Sequence, residues 1–318
     1  MDSSILWRPS ASIETLKKRA CLCAKVRDFF NNRGYLEVET PVIGRHGVTD
    51  IYLTNIRATI HGKVRYLQTS PEYHMKRLLA AGSGPIFQLA RVFRDDELGR
   101  WHNPEFTLLE WYQIDIDHHQ LMDEIDIFMH LLLGIAPMMR KTYQQVLLDV
   151  CGLDPLDTNI SALKEVLTHY NLGDVLTPDE SDQDQYFFLL MSHVIEPAIA
   201  HYKQPVAIYD FPVSQASLAK IQGNVASRFE VYYAGVELAN GFHELTDPVL
   251  QAQRFNHEAE DRKSRNLPEI SQDQAFLCAL AHGLPPCSGV ALGIDRLFAI
   301  AEGHTSIAQC MSFDYTRA

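Results

Sequence analysis

Residues 86–112 read IFQLARVFRDDELGRWHNPEFTLLEWY. Two alternating stretches, 86–93 and 105–112, flank a loop that carries Arg94, Asp95, Asp96, Glu97, Arg100, His102 and Asn103. The two-residue period of a strand puts Phe106, Glu110 and Tyr112 on one face. Such a hairpin offers an arginine for phosphate, an aromatic face, and polar groups pointing the same way, which suits a nucleoside triphosphate beside a small cationic substrate. Taken alone, the same residues also suit a solvated loop between ordinary strands. A second stretch, 288–297 (SGVALGIDRL), is a glycine-punctuated strand running into an amphipathic helix. Its glycines, Gly293 among them, allow close backbone approach to a ligand. Arg296 in the first helical turn opposes the helix dipole, so holding a phosphate explains it better than capping does.

Elements must bring these stretches together. A helix is expected over about 12–32, with Ile13, Leu16, Ala20, Cys23, Val26, Phe29 and Phe30 at helical spacing and Gly34 as its stop. A short helix should follow Ser70-Pro71 and end at the Gly82–Pro85 turn cluster. Residues 117–134, 142–150, 161–170 and 183–202 read as helices, the last kinked at Pro197, while 205–211 and 229–238 read as strands. Asp247-Pro248 caps a helix over 248–265. Distant strands mixed with helices indicate an α+β fold around an antiparallel sheet. We expect one catalytic domain over 1–318, with a helical insertion at about 117–204.

The 318 residues are 46% hydrophobic, enough for a substantial core. No apolar run approaches the ~18 residues of a membrane span, and the N-terminus lacks a secretory pattern. The expected location is the cytoplasm. Six cysteines with no C-x-x-C pair fit reduced thiols. The net charge of −12, without a basic stripe, argues against a nucleic-acid ligand such as tRNA. No P-loop is present, so ATP must be held otherwise.

Several ordered motifs carry a family resemblance. Arg94 with Asp96 resembles motif 2 of the class II aminoacyl-tRNA synthetases, and Gly293 with Asp295-Arg296 resembles motif 3. The first helix and the Gly34–Pro41 segment resemble motif 1. The lysyl enzymes are the most similar. The stretches beginning Thr69-Ser70-Pro71-Glu72, His102-Asn103-Pro104-Glu105-Phe106 and Glu237-Leu238-Ala239-Asn240-Gly241 resemble lysyl-synthetase paralogues that modify elongation factor P. The resemblance implies the class II catalytic fold, a six- or seven-stranded antiparallel sheet flanked by helices. The chain starts a dozen residues before motif 1, so no OB-fold anticodon-binding domain is expected.

What the resemblance implies for the site is specific. Arg94 would hold the α-phosphate and the substrate carboxylate, and Arg296 the γ-phosphate with help from His102. Phe106 would stack on adenine, with Asp95, Asp96, Asn103, Leu238 and Gly293 completing the nucleotide site. Glu237 would bind the Mg2+ that accompanies ATP. Arg94, Glu237 and Arg296 would be the catalytic set. A diamine substrate needs carboxylates to replace its lost hydration, and Glu72, Glu110 and Glu244 are candidates. By resemblance Ser70, Pro71, Glu72, Tyr112 and Glu244 line that pocket; Glu110 joins them because it shares a face with Tyr112.

Two departures stand out. Asp96 is one methylene shorter than the usual motif 2 glutamate, which leaves Glu97 as an alternative adenine contact. Ala291 stands where lysyl synthetases have glycine, and a methyl there is expected to favour beta-lysine over alpha-lysine, with a neutral effect also open. The implied activity is ATP-dependent ligation of (R)-beta-lysine to a lysine of elongation factor P. A stand-alone lysyl-type synthetase charging tRNA or a small carrier is the alternative, and a non-catalytic regulator is a third. Motif 1 implies a homodimer.

Overall fold

A computed structural model describes residues 7–95 and 98–318, which form two compact units. The first comprises Met1–Asp117 with Leu245–Ala318, the second His118–Glu244. The helical stretch expected over about 117–204 lies inside the second unit, which extends to Glu244.

In the first unit, α1 (Ile13–Asn31) is capped by Ser12, whose hydroxyl accepts from Thr15 N. The short strands β1 (Leu36–Glu37) and β2 (Ile43–Gly44) and the hairpin β3 (Arg57–Ile60) and β4 (Lys63–Leu67) follow. Next come α2 (Glu72–Ala80), β5 (Ile86–Phe93) and β6 (Glu105–Ile114). β1 pairs β5 in parallel, β5 pairs β6 antiparallel, and β6 pairs antiparallel with β12 (Cys287–Gly293), which feeds α10 (Ile294–Ala301). The antiparallel expectation therefore holds for the inner pairs, with a parallel pair here at β1–β5 and another in the second unit, between the strands at 139–142 and 206–212. β2–β4–β3 form a separate three-stranded sheet. α8 (Pro248–Ser264), capped by Asp247, packs with α9 (Gln274–Gly283), and α9 packs on α2.

Pairing register gives the central sheet two unlike faces. Phe87, Leu89, Leu109, Trp111, Val290 and Leu292 fall on one face. There Phe30 of α1 stacks on Phe87 and meets Trp111, at centroid distances of 4.7 and 5.2 Å. The opposite face carries the polar groups described below. Of the expected α1 stripe only Val26, Phe29 and Phe30 are buried, joined by Leu22 from outside it; Leu16 and Cys23 are half-buried, Ile13 is 61% exposed and Ala20 is exposed too. Helical spacing identified the apolar residues but not which half of the helix has a neighbour to bury them.

The same unit holds a half-buried acid away from the sheet. Burial pushes the Glu258 carboxyl up to about 7, against the hydrogen bond from Thr49, with Asp50 raising it further. A carboxyl that binds its proton more tightly folded than unfolded subtracts stability as pH climbs from its unfolded value of 4.5 to about 7. Glu258→Gln should therefore flatten the stability–pH curve across that window and be more stable than wild type above pH 7, measured by urea midpoints.

The second unit begins with α3 (His118–Leu133), β7 (Met139–Thr142), α4 (Tyr143–Cys151) and α5 (Ile160–His169). α4 has a full capping box between Thr142 and Gln145 and a left-handed Gly152 at its end. The expected helix over 183–202 is α6 (Gln183–Leu190), a π-helical turn at Met191–Ile195, and α7 (Glu196–Ile199). The wide turn sits just before Pro197, whose ring cannot donate into the helical ladder. β8 (Val206–Pro212) lies between β7 and β10 (Val225–Tyr233); β9 (Ile221–Gln222) and β11 (Val236–His243) also pair with β10. The single strand expected over 229–238 is in fact the end of β10, a tight turn, and the start of β11. Ala234 and Gly235 both have positive φ, 52° and 74°, as a two-residue hairpin turn of this hand requires. A Cβ at Gly235 would lie 2.7 Å from that of Ala200. The core of this unit gathers around Tyr143, Phe187, Leu190, Ile195 and Phe211.

Candidate active site

The polar face of the first unit's sheet is set by the same register. Gln88, Glu110 and Ala291 form one cross-strand row, and Ile86, Tyr112 and Gly289 the next. Ala90, Leu108 and Gly293 continue the face, with Phe106 opposite Val92. The shared face expected for Phe106, Glu110 and Tyr112 thus extends over three strands. Glycines at 289 and 293 leave it without side chains at two points. Ala291 and Phe106 each pack against the cluster of Ala90, Val92 and Leu108.

Arg94 follows β5 and sits 5.2 Å from the Phe106 ring centroid, with Nε donating to Thr69 O at 3.4 Å. Both are half-buried, so an aromatic plane and a cation border the same space. Arg296 lies in the first turn of α10. Its Nε donates to Trp101 O at 3.1 Å and its Nη2 lies 2.6 Å from His102 Nε2, which joins the β5–β6 loop to the helix start. Asn103 is buried; its amide donates to Glu105 O and accepts from Tyr315 N, fixing the loop end against the C-terminal segment. Asp95 is exposed, and its backbone N–H bonds to Thr54 O. Asp96 and Glu97 lie outside the described residues.

One carboxylate braces both walls. Asp295, 2% exposed, pairs with Arg19 of α1 at 2.7 Å and accepts from Thr107 N at 2.6 Å. Arg19 also donates to Thr107 Oγ1 at 3.0 Å. Thr107 adjoins Phe106 and Asp295 adjoins Arg296. The buried ion pair therefore ties the helix start to the strand behind the aromatic plane.

The acids cluster next to these groups. Ser70 Oγ donates to Glu110 Oε2 at 2.6 Å, and Tyr112 OH donates to Oε1 at 2.7 Å. Burial, then the charge of Glu72, pushes the Glu110 carboxyl up to about 8, against the pull of Ser70, Tyr112 and Lys76. Ser70 Oγ also accepts from Glu72 N at 3.1 Å, so Ser70 and the buried Pro71 form the entry to α2. Pro71 is the residue preceding the helix rather than its first member.

In the second unit, Glu237, Leu238 and Glu244 belong to β11 and the residue just after it. Strict alternation would put Glu237 and Glu244 on opposite faces. The pairing contains an irregularity, however: Val231 opposes Ala239 while Tyr232 opposes Glu237, leaving Leu238 as an extra residue. This bulge shifts the phase by one and puts Glu237 on the side of Asn240 and Phe242. Glu244, two residues beyond Phe242 and bridged to Ala219, continues that side. Glu244 is buried and Glu237 half-buried. A cavity of about 400 Å³ elsewhere in this unit is lined by Thr142, Gln144, Asp154 and Asp210 among others, and by none of the site residues.

Residues 3–317 match the family described as tRNA synthetases class II (D, K and N). The chain belongs to this class II synthetase family. It is similar to proteins named elongation factor P–(R)-beta-lysine ligase. One from Hamiltonella defensa subsp. Acyrthosiphon pisum is 46% identical over 327 residues, covering all of both chains. One from Pseudoalteromonas translucida is 48% identical over 322 residues, covering 98% of this chain and 99% of the relative. One from Salmonella typhi is 48% identical over 327 residues, again covering both chains fully.

As a class II synthetase chain, this one has supporting residues that its motifs alone did not single out. Arg19 and Thr107 serve Asp295, and Lys76 serves Glu72. The Glu72–Lys76 spacing, i to i+4 on a helix, was a legible signal of an ion pair. The Arg19–Asp295 pair, 276 positions apart in the chain, had none.

Proposed function

We propose that this protein is an ATP-dependent ligase that activates (R)-beta-lysine as its adenylate and transfers it to the ε-amine of a lysine on elongation factor P. The observation that carries this reading is full-length similarity at 46–48% identity to relatives bearing that activity in their names. The site agrees in its chemistry: an arginine beside an aromatic plane suits a nucleotide, and enclosed carboxylates suit a diamine.

A carboxylate oxygen of the substrate attacks the α-phosphorus, the bond to the β-phosphate breaks, and pyrophosphate leaves. The acceptor amine then attacks the acyl carbon, the bond to AMP breaks, and the amine loses a proton. Arg94 neutralises charge on the α-phosphate, Arg296 with His102 holds the far end of the triphosphate, and Phe106 stacks on adenine, aided by Asn103, Leu238 and Gly293. Such catalysis is positioning plus charge stabilisation, with no protein nucleophile.

The donors suit Mg2+. Glu237 is a hard-oxygen ligand on the same side of β11 as Glu244, and among the described residues no group of three metal-ligating side chains exists. A magnesium ion typically takes one or two carboxylates and completes its shell with phosphate oxygens and water. Bound there, it would neutralise phosphate charge. No helix among the described residues is long and apolar enough to cross a membrane, and the reading places the enzyme in the cytoplasm. We also assign a homodimer, formed through the exposed Ile13 face of α1 and the segment around Leu36, Val42 and Ile43. A monomer in sedimentation at micromolar concentration would overturn that assembly.

The functional test is ATP–pyrophosphate exchange with (R)-beta-lysine and L-alpha-lysine side by side. The expected result is preference for the beta isomer. Ala291→Gly should narrow that preference by about 10-fold or more, the usual scale for one methyl group in a pocket. Preference for alpha-lysine in the wild type would favour a tRNA-charging enzyme instead.

A further inference from the structure

The amino-acid side of the site already contains a cation. Lys76 is 1% exposed, and its Nζ donates to Glu72 Oε1 at 2.5 Å. The ammonium lies 6.0 Å from the Tyr112 ring centroid and 5.9 Å from that of Phe276 in α9. Burying a long, strongly hydrated side chain where a substrate amine must enter demands a reason.

Charge balance supplies one. Glu110 faces Glu72 and Lys76 from α2, Ser70 at its entry, and Tyr112 on its own strand, with the uncharged Gln88 and Ala291 in its cross-strand row. Enclosed sites strongly resist net charge. With Lys76 paired to Glu72, the corner of the first unit that holds these two and Glu110 is neutral when Glu110 carries a proton, which it then donates to the Tyr112 hydroxyl, and burial favours that form at neutral pH. An arriving ammonium adds one positive charge, and neutrality returns when Glu110 ionises.

We propose that Lys76 sets the charge of the amino-acid site: by holding Glu72 in an internal ion pair it leaves Glu110 to receive a substrate amine, and Glu110 releases its proton to solvent as the amine binds. The proposal rests on the reading that this site takes a lysine isomer. It makes Lys76 a positioning residue, acting through the two acids. Without the lysine, the Glu72 carboxylate, whose side chain reaches solvent at 18% exposure, would balance the incoming ammonium, Glu110 would keep its proton, and binding would release none.

Proton release separates this role from a merely structural one. The titration is (R)-beta-lysine into the full-length enzyme saturated with a non-hydrolysable ATP analogue, by calorimetry at pH 7 in buffers of different ionisation enthalpy. The slope of observed heat against buffer enthalpy counts protons. The expected result is release of about one proton for wild type and for Lys76→Arg, and close to none for Lys76→Met. Glu110→Gln, which serves should Lys76→Met not fold, should also lose the release. Infrared difference spectra should show a protonated-carboxyl band disappearing on binding in wild type and absent throughout in Glu110→Gln. Heat that is the same in every buffer for wild type would overturn the proposal, as would undiminished release in Lys76→Met or Glu110→Gln. Normal nucleotide binding with no heat from either lysine isomer would instead overturn the functional reading, and this proposal with it.

Discussion

Arg296→Ala is expected to lower ATP–pyrophosphate exchange by about 10²- to 10³-fold, the usual cost of removing one preorganised donor from developing phosphate charge. The loss should fall mainly on the nucleotide, raising KM for ATP and lowering kcat while sparing the amino-acid dependence. The fold should tolerate the change. A cation in the first turn of α10 works against the helix dipole, so its removal does not weaken the helix. The helix start is held independently by Asp295, through Arg19 and Thr107. His102 loses its neighbour at 2.6 Å and Trp101 O its donor, so local order should decrease at the tip of the β5–β6 loop. Exchange within a few-fold of wild type, at an unchanged urea midpoint, would remove Arg296 from the nucleotide site.

Phe30→Ala should be the most destabilising single change in the first unit, at about 3–5 kcal/mol, typical of deleting an enclosed aromatic ring. The ring is fully buried and meets four others: Phe29 and Tyr35 edge-on at 5.1 Å, Phe87 stacked at 4.7 Å, and Trp111 tilted at 5.2 Å. Aromatic pairs add about 0.5–1.5 kcal/mol beyond the area they bury. Phe87 and Trp111 lie on the core face of β5 and β6, directly behind the strands that present Glu110 and Tyr112. A cavity there loosens the site from behind, so activity should fall at temperatures below unfolding. The measurement is the urea midpoint at constant m value, with Val249→Ala, at a 63%-exposed position of α8 away from the assigned dimer face, as the control expected within about 0.5 kcal/mol of wild type. Equal midpoints for the two variants would show that α1 does not anchor the sheet.

Much of the site was legible because local periodicity carries it. Alternation along 105–112 placed Phe106, Glu110 and Tyr112 on one face, and the paired register of β5, β6 and β12 has them so. The glycine-punctuated strand leading into Asp295-Arg296 is β12 followed by α10. The cap at Asp247 was visible for the same reason, since a cap is a contact between residues two or three apart. Where the reading faltered, a local signal had two solutions. The run 229–238 is apolar enough to pass for one strand, and Ala234 at positive φ hides the turn, because alanine does not announce a left-handed conformation.

The sequence by itself determined α1, α2, α8, the two motif stretches, and the set of charged and aromatic residues available for chemistry, because each depends on neighbours within a turn or a strand. Only the tertiary structure decided how those residues serve one another. The bulge at Leu238 that brings Glu237 into phase with Asn240 and Phe242 depends on the partner strand. The closure of Glu110 between Ser70 and Tyr112 and the bracing of Asp295 by Arg19 join segments far apart in the chain. The physical reason is common to all three: burial and long-range pairing set a side chain's direction and its charge, and neither is encoded by the residues on either side of it.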